Sequence, residues 1–164
     1  LKMIDHLGFP NYFAEQRSGF NGGNLVEAAR LINASRLKGN RRRHGIFLSA
    51  ARSWLCNLVL ARHITNYHDG IIFPFDETGP LWGRGKSKPN QVVASTEREV
   101  LANWPEWKHA LEHTGLTQER RKLFMHADGL KFHFLDRRQL RLRFSLPKGV
   151  YATALLRELA EFNR

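Results

Sequence analysis

The spacing of apolar residues changes along this chain, and the change limits the folds it can adopt. Apolar side chains recur every three or four residues at about 25–37 and 47–64, as on amphipathic helices. At 130–134 and 140–145 they alternate with Lys, His and Arg, which is the pattern of half-buried strands. Helical spacing returns at 151–162. The sequence therefore predicts an α+β fold, mostly helical at first, followed by an antiparallel hairpin and a closing helix.

Capping and turn residues indicate where the first elements begin and end. Asn24 and Glu27 have the spacing of a capping box, so the first helix is predicted to start there. That helix runs into a segment at 36–43 with five cations, interpreted as a solvated basic loop. Gly and Pro recur through 69–89, which is expected to be the most loop-like part of the chain.

Two or three short helices are predicted for 95–126. Thr96 and Glu99 repeat the capping-box spacing at the start of this region. Pro105 suits a first helical position, and Gly115 suits a helix stop.

Composition favours a folded protein with a polyanionic partner. With 164 residues, 42% of them hydrophobic, the chain can form one domain or two small ones. Its formal charge of +11 makes nucleic acid the first partner to expect, and the alternative is a basic protein that binds none. The single cysteine, Cys56, allows no disulfide within the chain and fits a reducing cytoplasm. No apolar run is long enough for a membrane span, and 1–9 resembles the end of a structural element, so the N-terminus is interpreted as a cut.

Metal chemistry has little support in the sequence. His109 and His113 lie four residues apart and could share a helical face. Neither a third ligand nor a Glu stands at suitable spacing. No metal is therefore expected. A metal-dependent nuclease is a third possible function, and the sequence lacks the cluster of metal ligands that it would need.

One string near the N-terminus combines aromatic, amide and cationic side chains. It runs G-F-P-N-Y-F-A-E-Q-R over 8–17 and continues as G-G-N-L over 22–25. Aromatic faces can stack on bases, and amides and arginine can contact base edges or phosphates. The candidate RNA-binding residues in this string are Asn11, Tyr12, Phe13, Gln16 and Arg17.

Three separated motifs resemble those of the TruD family of tRNA pseudouridine synthases. The first string is similar to the family's G-x-P-N-Y-F-G-x-Q-R-F-G. The segment L-S-A-A-R-S at 48–53, followed by Asn57, and the segment at 144–159, which contains Tyr151, resemble two later motifs in the same order. The chain departs from the pattern at Ala14, at Ser18 and in a shorter segment at 69–81.

The resemblance implies a split architecture. Residues 1–7 would end an upstream catalytic-domain segment, 8–125 would form an insertion domain, and 126–164 would return to the catalytic domain. A hairpin of two strands is too small for independent stability, so its missing neighbours are expected from an N-terminal half. The family isomerises uridine in tRNA, at position thirteen, without metal or cofactor, and the complete protein would be a cytoplasmic monomer.

The family's catalytic aspartate lies in an upstream G-x-K-D-K-type motif, which this chain does not contain. The aspartates present are Asp5, Asp69, Asp76, Asp128 and Asp136, and none is assigned the role. The leading hypothesis is therefore a pseudouridine synthase present as an inactive fragment. The alternative is a non-catalytic RNA-binding module.

The resemblance also implies roles for single residues. Tyr151 would stack on the target base, and the alternative is an ordinary core tyrosine. The string at 11–17 would lie where the insertion meets the catalytic cleft, either contacting RNA or serving as a hinge, and Arg52 has the same two possibilities. Independently of the resemblance, the positive charge of Arg41, Arg42 and Arg43 predicts that they contact RNA phosphates. Arg157, followed by Glu158, is expected in a structural ion pair.

Overall fold

A computed structural model describes residues 8–34, 41–66, 76–89 and 91–159. In chain order its helices are α1 (Glu15–Ser18), α2 (Gly23–Asn33), α3 (Arg41–Asn66), α4 (Gln91–Leu101), α5 (Pro105–Glu112) and α6 (Ala152–Leu159). Its strands are β1 (Phe9–Pro10), β2 (Thr78–Leu81), β3 (Glu119–Lys122), β4 (Phe124–Met125), β5 (Asp128–Phe134) and β6 (Leu140–Ser145). A short 3₁₀ turn, Phe20–Gly22, connects α1 to α2. The mixed α+β class is therefore confirmed.

The long helix α3 is the centre of the main hydrophobic core. Leu48, Ala51, Leu55 and Val59 recur at intervals of three or four and are at most 2% exposed, so they form one buried stripe. The stripe packs against Ala28, Leu31, Ile32, Val93, Leu101, Leu111, Leu123 and Phe124. Burying each large aliphatic side chain contributes about 1.5–3 kcal/mol, which makes this core the main support of the elements around it.

Three two-stranded antiparallel ladders complete the fold, in the pairs β1–β4, β2–β3 and β5–β6. In the first, Phe9 is opposite Met125 and Pro10 is opposite Phe124. A second, smaller core forms beside this ladder from Phe9, Ala154 and Leu155. This core places Phe9, near the beginning of the described chain, against α6 at its end.

The predicted hairpin is confirmed, but its apolar face stays open. Lys131 is opposite Arg143 and Phe134 is opposite Leu140, with an irregularity between Asp128 and Lys131. Phe132 is 47% exposed and Phe134 is 62% exposed. The closing helix is confirmed over Ala152–Leu159, and residues 160–164 lie outside the described part. No helix among the described residues is long and apolar enough to cross a bilayer.

Both predicted capping boxes are wrong. Gly22 precedes α2 in the left-handed region, at φ 76°, and no side chain caps the helix. Asn24 instead lies inside the first turn, where its Nδ2 donates to the Arg17 carbonyl. Thr96 lies within α4, and its hydroxyl oxygen accepts a hydrogen bond from Asn66.

The basic loop is also wrong where the structure describes it. Arg41, Arg42 and Arg43 begin α3, which extends beyond the predicted helix at both ends. Residues 35–40 lie outside the described part. Long, straight side chains such as Arg are compatible with helix, so charge density alone did not indicate a loop here.

Four of the six described strands were not predicted, and the two longer ones among them, β2 and β3, have sequences that do not alternate in polarity. The helices predicted for 95–126 end at Glu112, with Pro105 in the first turn of α5 as expected, and β3 and β4 follow. Strand β3 reads E-R-R-K, and its arginines are partly buried through hydrogen bonds rather than apolar contact. Strand β2 lies within the predicted loop of 69–89, and its Gly79 leaves room for the Leu123 side chain.

Candidate RNA-binding pocket

Two segments from opposite ends of the described chain are in contact at one site, the candidate pocket. Phe13 follows β1, and Tyr151 immediately precedes α6. Their rings make an edge-to-face contact with centroids 6.1 Å apart and planes at 62°. Tyr151 is half-buried at the edge of the smaller core. The contact follows from the β1–β4 ladder, because that ladder and the core beside it bring α6 against the start of the chain.

Reciprocal hydrogen bonds from α3 fix the backbone of Phe13. The Phe13 N–H donates to Asn57 Oδ1 at 2.9 Å, and Asn57 Nδ2 donates to the Phe13 carbonyl at the same distance. Both peptide groups of this buried residue are therefore satisfied by one amide side chain. The position of the ring is set by the long helix.

Asn11 lies in the wall of the pocket, with its polar atoms already bonded. The residue is 4% exposed, and its Nδ2 donates to the Lys122 carbonyl at 2.7 Å. Its Oδ1 accepts a hydrogen bond from Arg121 Nη2 at 2.5 Å. These bonds favour the hinge role over direct RNA contact.

Arg121, which the sequence interpretation missed, joins the two halves of the pocket. Its guanidinium carbon lies 4.0 Å from the centre of the Phe13 ring. Its Nη1 donates to the carbonyl of Gly149 at 3.0 Å, in the turn that leads to Tyr151. Burial lowers the pKa of Arg121, and the neighbouring charge of Arg17 adds to that direction. No local signal could have found Arg121, because β3 itself does not alternate in polarity and was not predicted.

Arg17 also lies over the Phe13 ring, but its side chain forms fewer hydrogen bonds than that of Arg121. Its guanidinium carbon is 5.7 Å from the Phe13 centroid. Its Nε is buried, and the guanidinium has no hydrogen-bond partner among the described residues. Gln16, the neighbouring candidate, is exposed.

Tyr12 packs against both hydrophobic cores and is half-buried. Burial raises the pKa of its hydroxyl, and the charge of Glu158 adds to the increase. The contacts with two cores favour a structural role for this ring.

Arg52 is held by backbone carbonyls. Its Nη2 donates to Leu81 at 2.7 Å and to Thr117 at 2.8 Å, and its side chain is 13% exposed. Glu119 lies 3.7 Å from the same nitrogen. These contacts favour the structural alternative for Arg52.

Of the other arginines that the sequence analysis named, the structure describes the side chain of Arg157 but not those of the three at 41–43. The side chains of Arg41, Arg42 and Arg43 lie outside the described part of the structure. Arg157 does form an ion pair, but with Glu15 at 2.8 Å rather than with its neighbour Glu158.

The departure at Ala14 has a simple structural account. Ala14 is buried and has an extended backbone, with φ −72° and ψ 163°. Any residue can adopt that conformation, so glycine is not needed there for its backbone freedom.

His109, in α5, and His113, just after it, lie close together, with ring centroids 4.2 Å apart. His113 Nδ1 lies 2.7 Å from the His109 carbonyl oxygen. Within 8–34, 41–66, 76–89 and 91–159, no group of three His, Cys, Asp or Glu could hold a metal ion.

Comparison with known proteins decides the family. A model of tRNA pseudouridine synthase D (TruD) matches residues 72–159, which is more than half of the chain. The chain belongs to the TruD family. Proteins named tRNA pseudouridine synthase D from Cellvibrio japonicus, Marinobacter nauticus and Shewanella oneidensis are 39%, 38% and 34% identical to it over 99% of its length. The chain spans about half the length of these curated TruD relatives, 50%, 50% and 51% in the same order.

Proposed function

We propose that the protein to which this chain belongs isomerises a uridine of tRNA, at position thirteen, to pseudouridine. The observation that carries the proposal is the contact between Phe13 and Tyr151. Each ring belongs to a segment that resembles a TruD motif, and the fold brings the two segments together. Family membership and the printed names of the relatives support the same activity.

Tyr151 supplies the stacking surface in this proposal. An enzyme that acts on a base within folded RNA must hold that base out of its helix, and an aromatic face compensates for lost stacking. Stacking of one base on an aromatic side chain contributes about 1–3 kcal/mol. Tyr151 is only partly buried, and the edge-to-face contact with Phe13 supports its ring from one side.

The catalytic carboxylate comes from an upstream segment with a G-x-K-D-K-type motif. Among the described aspartates, the Asp76 side chain is fully exposed near Lys122, and Asp136 accepts a hydrogen bond from the Arg138 N–H in the hairpin turn. Asp128 is exposed at the start of β5. Asp5 and Asp69 lie outside the described residues. None of them is proposed as the catalyst.

The division into an end segment at 1–7, an insertion domain at 8–125 and a catalytic-domain return at 126–164 is part of the proposal. Antiparallel pairing of β1 with β4 supports it, because an inserted domain leaves and rejoins its host at adjacent points. The exposed Phe132, Phe134 and Leu140 of the hairpin support a neighbour on that face. The complete protein would act on tRNA as a cytoplasmic monomer without cofactor or metal.

The alternative function is a non-catalytic RNA-binding module. The observation that favours it is the lack of an assigned catalytic carboxylate. The charge of +11 suits either function, since both need affinity for a polyanion.

A chimera separates the two functions. The half of the Cellvibrio japonicus relative that this chain does not match, which the proposal takes to be its upstream half, is joined to the chain, and pseudouridine is measured in treated tRNA. The enzyme proposal expects pseudouridine from the chimera and none from the 164-residue chain, with the intact relative as positive control. A folded chimera that binds tRNA without forming pseudouridine would support the module instead.

A further inference from the structure

Two arginines beside the pocket form no ion pair with the described residues, whereas several arginines elsewhere in the described structure do. Arg30 pairs with Glu27, Arg62 with Glu99, Arg120 with Glu97 and Arg157 with Glu15. Arg17 and Arg121 form no ion pair with the described residues, although both guanidinium carbons lie within 6 Å of the Phe13 ring centre. Two positively charged guanidinium groups therefore lie close together in the pocket wall, and neither is paired with a described carboxylate.

The two arginines are held to different degrees. The guanidinium of Arg121 donates to Asn11 and to the Gly149 carbonyl, so it is fixed in place. The guanidinium of Arg17 has no acceptor among the described residues, and its Nε is buried. A desolvated donor without an acceptor lowers the stability of the folded state, and the loss is larger when the donor belongs to a charged group. An external acceptor would remove that cost.

We propose that Arg17 binds a phosphodiester of the RNA backbone, next to the nucleotide that stacks on Tyr151. This inference rests on the proposed function. A phosphate fits the planar donors of a guanidinium, and its negative charge would offset the repulsion between Arg17 and Arg121. Arg121 is a positioning residue in this arrangement, because it holds Asn11 and the Gly149 turn on either side of Phe13.

The dependence of tRNA affinity on salt tests the site. Loss of one phosphate contact should reduce the slope of log Kd against log salt concentration by about 0.7 to 0.9. Arg17→Gln of the full chain is expected to show that reduction. Arg17→Lys keeps the charge and is expected to keep the native slope. Arg30→Gln is the matched control, because Arg30 is exposed and already paired with Glu27, and its slope should also stay native.

The outcomes separate the subsite from the proposed function. A native slope for Arg17→Gln, measured where circular dichroism shows that the variant is folded, would overturn the subsite. A slope reduced equally in Arg17→Gln and Arg17→Lys would also overturn it, because the effect would not follow the charge. Binding of tRNA by the native chain without any dependence on salt would also overturn the subsite, whereas the proposed function fails only if the chimera forms no pseudouridine.

Discussion

The ring of Phe13 meets the ring of Tyr151 edge to face, with 6.1 Å between their centroids. Such an aromatic pair contributes about 0.5–1.5 kcal/mol beyond the burial of its area. Phe13 is fixed to α3 through Asn57, whereas Tyr151 stands at the start of α6. A substitution that moves one of these two rings is therefore expected to move the other as well.

Arg121→Met should lower the rate of pseudouridine formation by the chimera. The loss of rate should be larger than the loss of folded protein explains. The variant loses the bonds to Asn11 and Gly149, and hydrogen bonds to charged groups contribute about 1.5–3 kcal/mol. Arg120→Met is the matched control, because Arg120 bonds to Glu97 and Ser87 instead. Breaking its partly buried pair should cost up to about 3–5 kcal/mol and leave the rate of the folded protein unchanged. Equal effects of the two variants on rate, measured below both melting transitions, would contradict the positioning role.

Arg52→Ala should destabilise the chain without changing how tRNA binding depends on salt. The variant leaves the Leu81 and Thr117 carbonyls without their donor, at a cost of about 1–3 kcal/mol. Chemical denaturation gives the stability, and titration at several salt concentrations gives the slope. A lower slope with native stability would assign Arg52 to RNA contact instead.

Cys56 should resist alkylation in the folded chain. Burial raises the pKa of its thiol from 9.0 to about 12, so at pH 8 the folded chain holds almost no thiolate. Iodoacetamide should therefore label it only after denaturation, as measured by mass spectrometry. Rapid labelling of the folded chain would contradict its burial.

The same shift makes stability depend on pH. A raised pKa means that the folded state keeps the thiol proton where the unfolded state loses it, between pH 9 and 12. Stability should therefore fall as pH rises through that range, by about 1.4 kcal/mol per unit. Native chain and Cys56→Ala, compared at pH 8 and pH 10 by denaturation, isolate this contribution. An equal loss of stability in both would contradict it.

The elements that periodic burial of apolar side chains stabilises could be predicted from the sequence. Those that depend on side-chain hydrogen bonds between distant residues could not. Helix α3 and the hairpin follow from apolar spacing, because their burial is one-sided. Strand β3 does not, because Arg120 and Arg121 are stabilised by Glu97 and Asn11, which lie far away in the sequence. Motif resemblance indicated Phe13 and Tyr151, but no local pattern shows that Arg121 lies between their segments.

The rate of pseudouridine formation and the stability of Tyr151 variants, both measured in the chimera, distinguish a base-stacking ring from an ordinary core residue. The Tyr151 hydroxyl forms no hydrogen bond with the described residues, so Tyr151→Phe should keep most of the rate. Tyr151→Ala should lose a stacking contribution of about 1–3 kcal/mol, or roughly 5- to 150-fold in pseudouridine formation, at a temperature where both variants are folded. This loss is expected to exceed any loss in the free energy of unfolding. A native rate for Tyr151→Ala, or a rate that falls only in step with unfolding, would make Tyr151 an ordinary core residue and contradict the proposed pocket.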